Sequence, residues 1–161
     1  MAGTYSIYGL GAKLALDIYS VVEGEVYNIC EKALRDEVNR TVYAGGGDGR
    51  YYNRTMGILN AIEIVEKHRS STSISFKVII NPARIGIEIT SPDMLNAHAD
   101  VYGQDFRTGL IPTLDEGSSG STVYNFSGYH FFDSTYQNLD SKLIGVMASA
   151  LSSKGWDVTT Y

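Results

Sequence analysis

The stretch SISFKVIINPARIGIEIT, residues 73–90, carries the clearest fold signal in the chain. Apolar residues occupy every second position in each of its halves, which is typical of strands with one face on a core and one in water. The sequence NPAR separates the halves, and Pro82 has no N–H to continue a strand ladder, so we expect a short hairpin turn there. The alternation predicts antiparallel strands containing Ile74, Phe76, Val78 and Ile80, then Ile85, Ile87 and Ile89.

A further strand is favoured just upstream, from about Ala61, where Ile62 and Ile64 flank Glu63. Before it, residues 10–40 predict one long helix, since apolar residues recur at spacings of three and four. A helix of about 30 residues is roughly 45 Å long. That is more than a domain of this size needs for its own core, so we expect part of the helix to pack on something else.

Two local features are expected within this helix. Gly24 lies near its middle and predicts a bend or a close contact, because glycine weakens a helix interior. Acidic residues precede basic ones by four positions on the exposed face, which predicts two ion pairs, Glu31 with Arg35 and Asp36 with Arg40.

A second helix closes the chain. Ser134 and Gln137 predict a capping box at its start, and Gly155 after Lys154 predicts its end. Between sheet and helix, GLIPTL (residues 109–114) predicts a short strand interrupted by Pro112, followed by a long polar loop. The apolar stripe of the closing helix is predicted to contain Tyr136, Leu139, Leu143, Met147 and Ala150, with Leu151 beside it.

These elements predict an α+β fold in a single domain, residues 1–161. It has a long N-terminal helix, an antiparallel sheet of three to four strands and a C-terminal helix packed on the sheet. Flexible loops are expected at about residues 44–54 and 115–130.

Composition narrows the function. Thirteen Lys and Arg against 18 Asp and Glu give a net charge of −5, which argues against a protein that grips nucleic-acid phosphates. No apolar run approaches a membrane span and no signal-peptide pattern is present, so we expect a soluble protein assembled in a cytoplasm. Cys30, the only cysteine, is expected to be a buried small side chain. Twelve tyrosines suit subunit interfaces.

No catalytic, cofactor-binding or metal-binding residues are predicted. YAGGGDGRYYNRTMG (residues 43–57) is rich in glycine but lacks the Lys-Ser or Lys-Thr of a phosphate loop and follows a helix, so we interpret it as a connection. The three histidines are remote from one another, and His98 with Asp100 is the nearest approach to a ligand pair. Asp115 and Glu116 are adjacent carboxylates, and a small hydrolase or binding module that uses this loop stays as an alternative.

Several motifs resemble a known family. EKALRDEVNR (residues 31–40) is similar to the end of its first helix, and YYNRTMGILNAIEI (51–64) to its T-G-x-L region, with one residue inserted. LIPTLDEGSSG (110–120) is similar to its E-x-G loop, and YHFFDSTYQNLDSKLIGVMASAL (129–151) to its aromatic segment and closing helix, without the usual proline. Residues 91–108 and 118–128 are longer than the family's pattern. The chain thus resembles the tail-completion family of long-tailed bacteriophages, also called neck, head–tail connector or minor tail components.

The resemblance implies a structural virion protein, not an enzyme, that forms a six-fold ring at the phage neck, assembled in the bacterial host cytoplasm. Its partners would be other copies, the head connector or stopper protein, and the tail terminator or tail tube protein. Viral DNA would pass through without specific binding, and no cofactor or membrane is implied. A tail terminator or another minor virion protein is the alternative. Candidate partner contacts are Asp115, Glu116, Tyr124, Phe126 and Tyr129, and the candidate hinge is Gly45, Gly46 and Gly47.

Overall fold

The computed structural model describes residues 7–44, 57–85, 106–117 and 127–160. In this part of the chain two long helices run antiparallel beside a two-stranded antiparallel sheet, so the mixed helix-and-sheet class is confirmed.

The long N-terminal helix is confirmed and is continuous in its αR backbone. Helix α1 (Ile7–Val21) passes through a π-helical turn at Val22–Val26 into α2 (Tyr27–Val38), and a second π-helical turn, Asn39–Tyr43, ends it. Gly24 lies in the first π-helical turn. A Cβ atom added there would meet no atom within 4 Å, so a close contact is not the reason for the glycine.

One of the two predicted ion pairs of this helix is confirmed. Arg35 Nη2 lies 2.9 Å from Glu31 Oε1. Arg40, however, pairs with Glu37 instead of Asp36. The reason is burial: the Glu37 carboxylate is only 6% exposed and needs a counter-charge, whereas the exposed Asp36 pairs with Lys32.

The sheet follows a short helix, α3 (Gly57–Asn60). Strand β1 (Ile62–Arg69) pairs with β2 (Ile74–Ile80), with Ile62 opposite Ile80, and a bulge interrupts the register between Val65 and His68. The connecting turn was not predicted. In it the Ser70 N–H donates to the Ser73 carbonyl over 2.8 Å, and the Ser70 hydroxyl accepts the Ser73 N–H over 3.0 Å.

A turn is found where one was predicted, at NPAR, and it is a 3-10 turn, Pro82–Arg84. The Asn81 side chain begins it by accepting the Ala83 N–H over 3.0 Å. Ile85 is extended and buried, but residues 86–90 lie outside the described residues, and so do Ile87 and Ile89 of the predicted third strand. The described part of the chain therefore has two strands, where three to four were predicted.

The strand predicted around GLIPTL is wrong. Helix α4 (Phe106–Glu116) occupies this segment, with Pro112 inside it and exposed. Leu110 and Leu114 lie four residues apart and flank the buried Ile111, which is the spacing of one helix face. Packing of that face outweighs the cost of an interior proline.

The closing helix, α5 (Phe131–Ser153), starts beside α2 and ends beside α1. Its backbone lies mainly against the N-terminal helix, which itself lies on β1, so the prediction that it packs on the sheet is only partly right. The prediction that Tyr136 belongs to the apolar stripe is wrong, since its side chain is 70% exposed. The other predicted members of the stripe are buried or partly buried.

Within the described residues, two hydrophobic clusters form the core. One lies at the start of α5 and draws side chains from helices, strands and loops: Leu34, Val38, Ile58, Ala61, Ile62, Ile80, Ile85, Ile111 and Phe131. The other lies toward the end of α5 and consists of helix residues, with sheet side chains such as Phe76 packed against it: Val21, Val22, Val26, Tyr27, Cys30, Ala150 and Leu151.

Candidate functional site

The last residues of α4 and the residues that lead into α5 meet in a short stem. The Tyr129 N–H donates to the Leu114 carbonyl and the His130 N–H to the Asp115 carbonyl, each over 2.8 Å. These two bonds hold together the chain on both sides of residues 118–126, which lie outside the described residues. The stem therefore gives the predicted contact loop a fixed base.

Asp115 also caps α5 from outside that helix. Its Oδ1 accepts the Phe132 N–H over 3.1 Å, at the helix end where free N–H groups and the helix dipole favour an anion. The residue before the helix, His130, has a left-handed backbone (φ 50°) and makes no side-chain cap. The predicted capping box of Ser134 and Gln137 is wrong, because the helix begins three residues before Ser134.

Gly128 allows the backbones of the two segments of the stem to approach closely. Its φ is +80°, a region that favours glycine. A Cβ atom added there would overlap the Asp115 carbonyl oxygen and lie 2.6 Å from the Gly117 backbone nitrogen. Gly117 itself has φ +92°, so both ends of the loop depend on glycine.

The structure brings together three of the five predicted contact residues. Asp115 is half-buried and used as a cap, whereas Glu116 and Tyr129 are exposed on the stem surface. Tyr124 and Phe126, and the candidate hinge Gly45, Gly46 and Gly47, lie outside the described residues.

At its other end, α5 is fixed to α1 by a group of residues that the sequence did not reveal. Asp17 Oδ2 accepts the indole N–H of Trp156 over 2.9 Å and pairs with Lys13 Nζ at 2.7 Å. The same Lys13 nitrogen lies 4.8 Å from the centre of the Trp156 ring. The hydrogen bond from Lys13, and then that from Trp156, lower the pKa of Asp17 below its ordinary value.

The carboxylates on β1 are held by neighbouring side chains. Glu63 accepts from Asn81 and from Arg84, both over 2.6 Å, and these hydrogen bonds lower its pKa. Glu66 pairs with Lys77 at 2.6 Å. Glu63 thus ties the sheet to the 3-10 turn, which is a structural use of a charge. Cys30 is buried as predicted, and burial raises the pKa of its thiol.

The turn end of the β-hairpin presents positive charge. The Arg69 guanidinium carbon lies 3.8 Å from the Tyr19 ring centre, and Lys67 Nζ lies 5.1 Å from that of Tyr27. The Tyr19 hydroxyl donates to the Ser70 carbonyl, which fixes the turn against α1. Sequence analysis missed this cluster, because nothing in the pattern around Tyr19 pointed to a strand about 50 residues away.

Among the described residues, no group of three or more His, Cys, Asp and Glu side chains is arranged to hold a metal ion. Within the same ranges no helix combines the length and apolar character needed to cross a bilayer. His98 and Asp100 lie outside them.

Comparisons of the chain with protein-family models, with curated proteins and with solved structures find no match.

Proposed function

We propose that this chain is a structural subunit of the neck of a long-tailed phage, where a ring of copies joins the DNA-filled head to the tail tube. The observation that carries the proposal is the set of large apolar side chains left exposed on both long helices. Leu16 is 59% exposed on α1 and Ile144 is 62% exposed on α5, with Leu10 and Tyr136 also exposed. Apolar side chains at such positions suit contacts with other subunits.

The stem supports a contact role for the loop it carries. The segment that resembles the family's E-x-G loop begins at Glu116 and Gly117, at the end of α4. Two backbone hydrogen bonds and the Asp115 cap join this point to the start of α5. A loop on a fixed base loses less conformational entropy when it binds a partner, because its ends are already ordered.

The proposal includes the finer fold of the family. We infer a sheet of three to four strands, with Ile85, Ile87 and Ile89 in the third. Ile85, directly after the 3-10 turn, has an extended backbone and is buried, which supports this assignment.

The proposal also treats the protein as non-catalytic. The alternative, a small hydrolase or binding module, needs the carboxylates of Asp115 and Glu116 free for a substrate. One Asp115 oxygen already accepts a helix N–H, which favours a structural role for that residue. A net charge of −5 is compatible with a channel that lets DNA pass without holding it.

The test is electron microscopy of particles from a phage that carries this gene with an early stop codon. We expect DNA-filled heads without tails beside free tails, and joined virions again when the wild-type gene is supplied from a plasmid. Normal joined virions from the mutant would refute the proposal. Filled heads beside free tails of uncontrolled length would point to the tail-terminator alternative.

A further inference from the structure

We propose that copies of this chain contact one another head to tail through two charged surfaces. The hairpin tip, formed by Lys67 and Arg69 beside the 70–73 turn, binds the acidic helix face of the next copy. That face consists of Asp133, Tyr136, Asp140 and Ile144 on α5. The inference rests on the proposed ring and names the surfaces that would build it.

Among the described residues, positive charge without an ion-pair partner is concentrated at the hairpin tip. Ten Lys and Arg residues have side chains that the structure describes, and seven of them form ion pairs with carboxylates. Of these ten described side chains, the three that form none are Lys67, Arg69 and Lys142. Two of the three lie side by side on one strand end, so a carboxylate-bearing partner from outside the chain would find free cations there.

These two cations are already held in position. Arg69 stacks over Tyr19 at 3.8 Å and Lys67 lies over Tyr27 at 5.1 Å. A guanidinium stacked on a ring keeps its N–H edge free for a carboxylate. The turn is fixed as well, by the hydrogen bond from the Tyr19 hydroxyl to Ser70. Little side-chain freedom is left to lose on binding, which favours association.

The acidic helix face offers the matching chemistry. Spacings of three and four residues place its four members on one side of α5, and all four are exposed. Tyr136 and Ile144 are large apolar side chains, 70% and 62% exposed. Asp133 and Asp140 form no ion pair within the described residues. Apolar anchors flanked by free carboxylates suit a partner with free cations on aromatic rings.

The two surfaces lie too far apart to meet within one chain. The hairpin tip contacts Tyr19, and the end of α5 lies at the same level, since Lys154 Nζ is 3.3 Å from Ser20 Oγ. At the rise of an α-helix, Asp140 is about 20 Å and Asp133 about 30 Å from Lys154 along α5. Complementary surfaces at different ends of one molecule form a heterologous contact, which closes into a ring when the rotation permits.

A second copy fits the tip better than nucleic acid does. Duplex binding at physiological salt uses on the order of six to ten phosphate contacts. The tip offers two cations that have no ion pair among the described residues, on a chain of net charge −5. A second copy of this chain, in contrast, carries an excess of carboxylates that can pair with these cations.

The experiment is sedimentation velocity of wild type and four variants at low and physiological salt. The tip variant is K67E/R69E, the face variant is D133K/D140K, and Lys142→Glu is the control for a charge reversal on the same helix outside the face. We expect tip and face variants to self-associate at least about tenfold more weakly than wild type, because like charges would meet. Lys142→Glu should associate like wild type.

The decisive sample is a mixture of the tip variant and the face variant. Each tip then finds a complementary face only on the other variant, so alternating assemblies should form although each variant alone associates only weakly. The fourth variant, which carries all four substitutions, should self-associate again. Circular dichroism and thermal unfolding check that each variant is folded.

Three results would overturn the inference. One is a wild-type protein that stays monomeric at its highest soluble concentration in low salt. Another is association that neither reversal weakens. The third is a hairpin tip whose reversal abolishes binding of a short duplex DNA and leaves self-association unchanged. The proposed neck function is judged separately, by the stop-codon phage: unjoined heads and tails would support it even if these surfaces are not the contact.

Discussion

The two ends of the closing helix are held in opposite ways. At its end, the chain itself supplies the cap: Gly155 (φ +89°) donates to the Ser152 carbonyl and Trp156 to that of Leu151, the pattern of a Schellman motif. At its start, the cap comes from Asp115, which lies 17 residues before the Phe132 N–H that it accepts.

The two ends of α5 differ in whether local or long-range contacts determine their positions. The end depends on residues next to one another in sequence, so its position follows from local chemistry. The start depends on a stem that forms only when α4 and α5 are both in place. We therefore expect substitutions at the start to affect the whole fold and substitutions at the end to have smaller effects.

The largest loss is expected for Phe131→Ala. Phe131 is fully buried at the start of α5, in the cluster that joins helices, strands and loops. Removing its ring should lower the free energy of unfolding by about 3–5 kcal/mol, through lost burial and the cavity left behind. Urea unfolding measures it. Leu16→Ala, at an exposed position, is the control and should change stability by about 0.5 kcal/mol or less. Equal effects would show that the cluster is not the main core.

Gly128→Ala tests the close approach of the two backbone segments in the stem. A left-handed backbone is unfavourable for alanine, and its Cβ would also overlap the Asp115 carbonyl, so we expect a loss of about 2 kcal/mol or more. Gly155→Ala has the backbone cost but no steric overlap and should lose about 1 kcal/mol.

Gly145→Ala is the matched control for both substitutions. Gly145 lies within α5, and a Cβ atom added there would meet no atom within 4 Å. Alanine at this position should therefore stabilise by about 0.5–1 kcal/mol. If Gly155→Ala cost as much as Gly128→Ala in thermal unfolding, the proposed difference between the two helix ends would be wrong.

Asp115→Ala removes the cap at the start. Loss of a helix cap costs about 1 kcal/mol, within a range of about 0.5–2. Asp115→Asn keeps an acceptor oxygen and should cost less. Glu116→Ala, one residue later and exposed, should be close to neutral. Chemical denaturation of the three variants gives the order, and a larger loss for Glu116→Ala would contradict the capping role.

The smallest effect concerns pH and the end of the helix. The pKa of Asp17 is lowered from its ordinary value of 3.8, so the unfolded chain takes up a proton first as the pH falls. The stabilisation from Asp17 is thus fully present well above pH 3.8 and is lost as the pH drops through the lower pKa of the folded state. Wild type should exceed Asp17→Asn in stability at neutral pH, and the two should converge in acid. A constant difference down to low pH would exclude an ionic contribution.

The sequence predicted the features that depend on local contacts better than those that depend on long-range contacts. Local patterns indicated the long N-terminal helix, both strands of the hairpin, the buried Cys30 and the stop at Gly155. They failed where distant contacts decide the structure. Packing of one face of α4 outweighed the cost of Pro112 inside the helix. Arg40 pairs with the buried Glu37 and not with Asp36. Asp115 caps α5, where a capping box within the helix was expected.

In the candidate site, too, the sequence predicted the residues but not the long-range contacts between them. Asp115, Glu116 and Tyr129 were found as neighbours of a loop, but their meeting in a stem depends on two backbone hydrogen bonds across that loop. The Asp17 and Trp156 contact joins residues far apart in sequence, and no local motif marks it.

The most direct test of the neck assignment is joining in vitro. DNA-filled heads without tails and free tails, prepared from phage that lack the protein, are mixed with increasing amounts of purified wild-type chain, and infectious titre is counted. The account predicts a titre that rises with added protein and stays at background when none is added. A titre that stays at background with folded wild-type protein, while an extract containing the wild-type virion proteins restores it, would contradict the account.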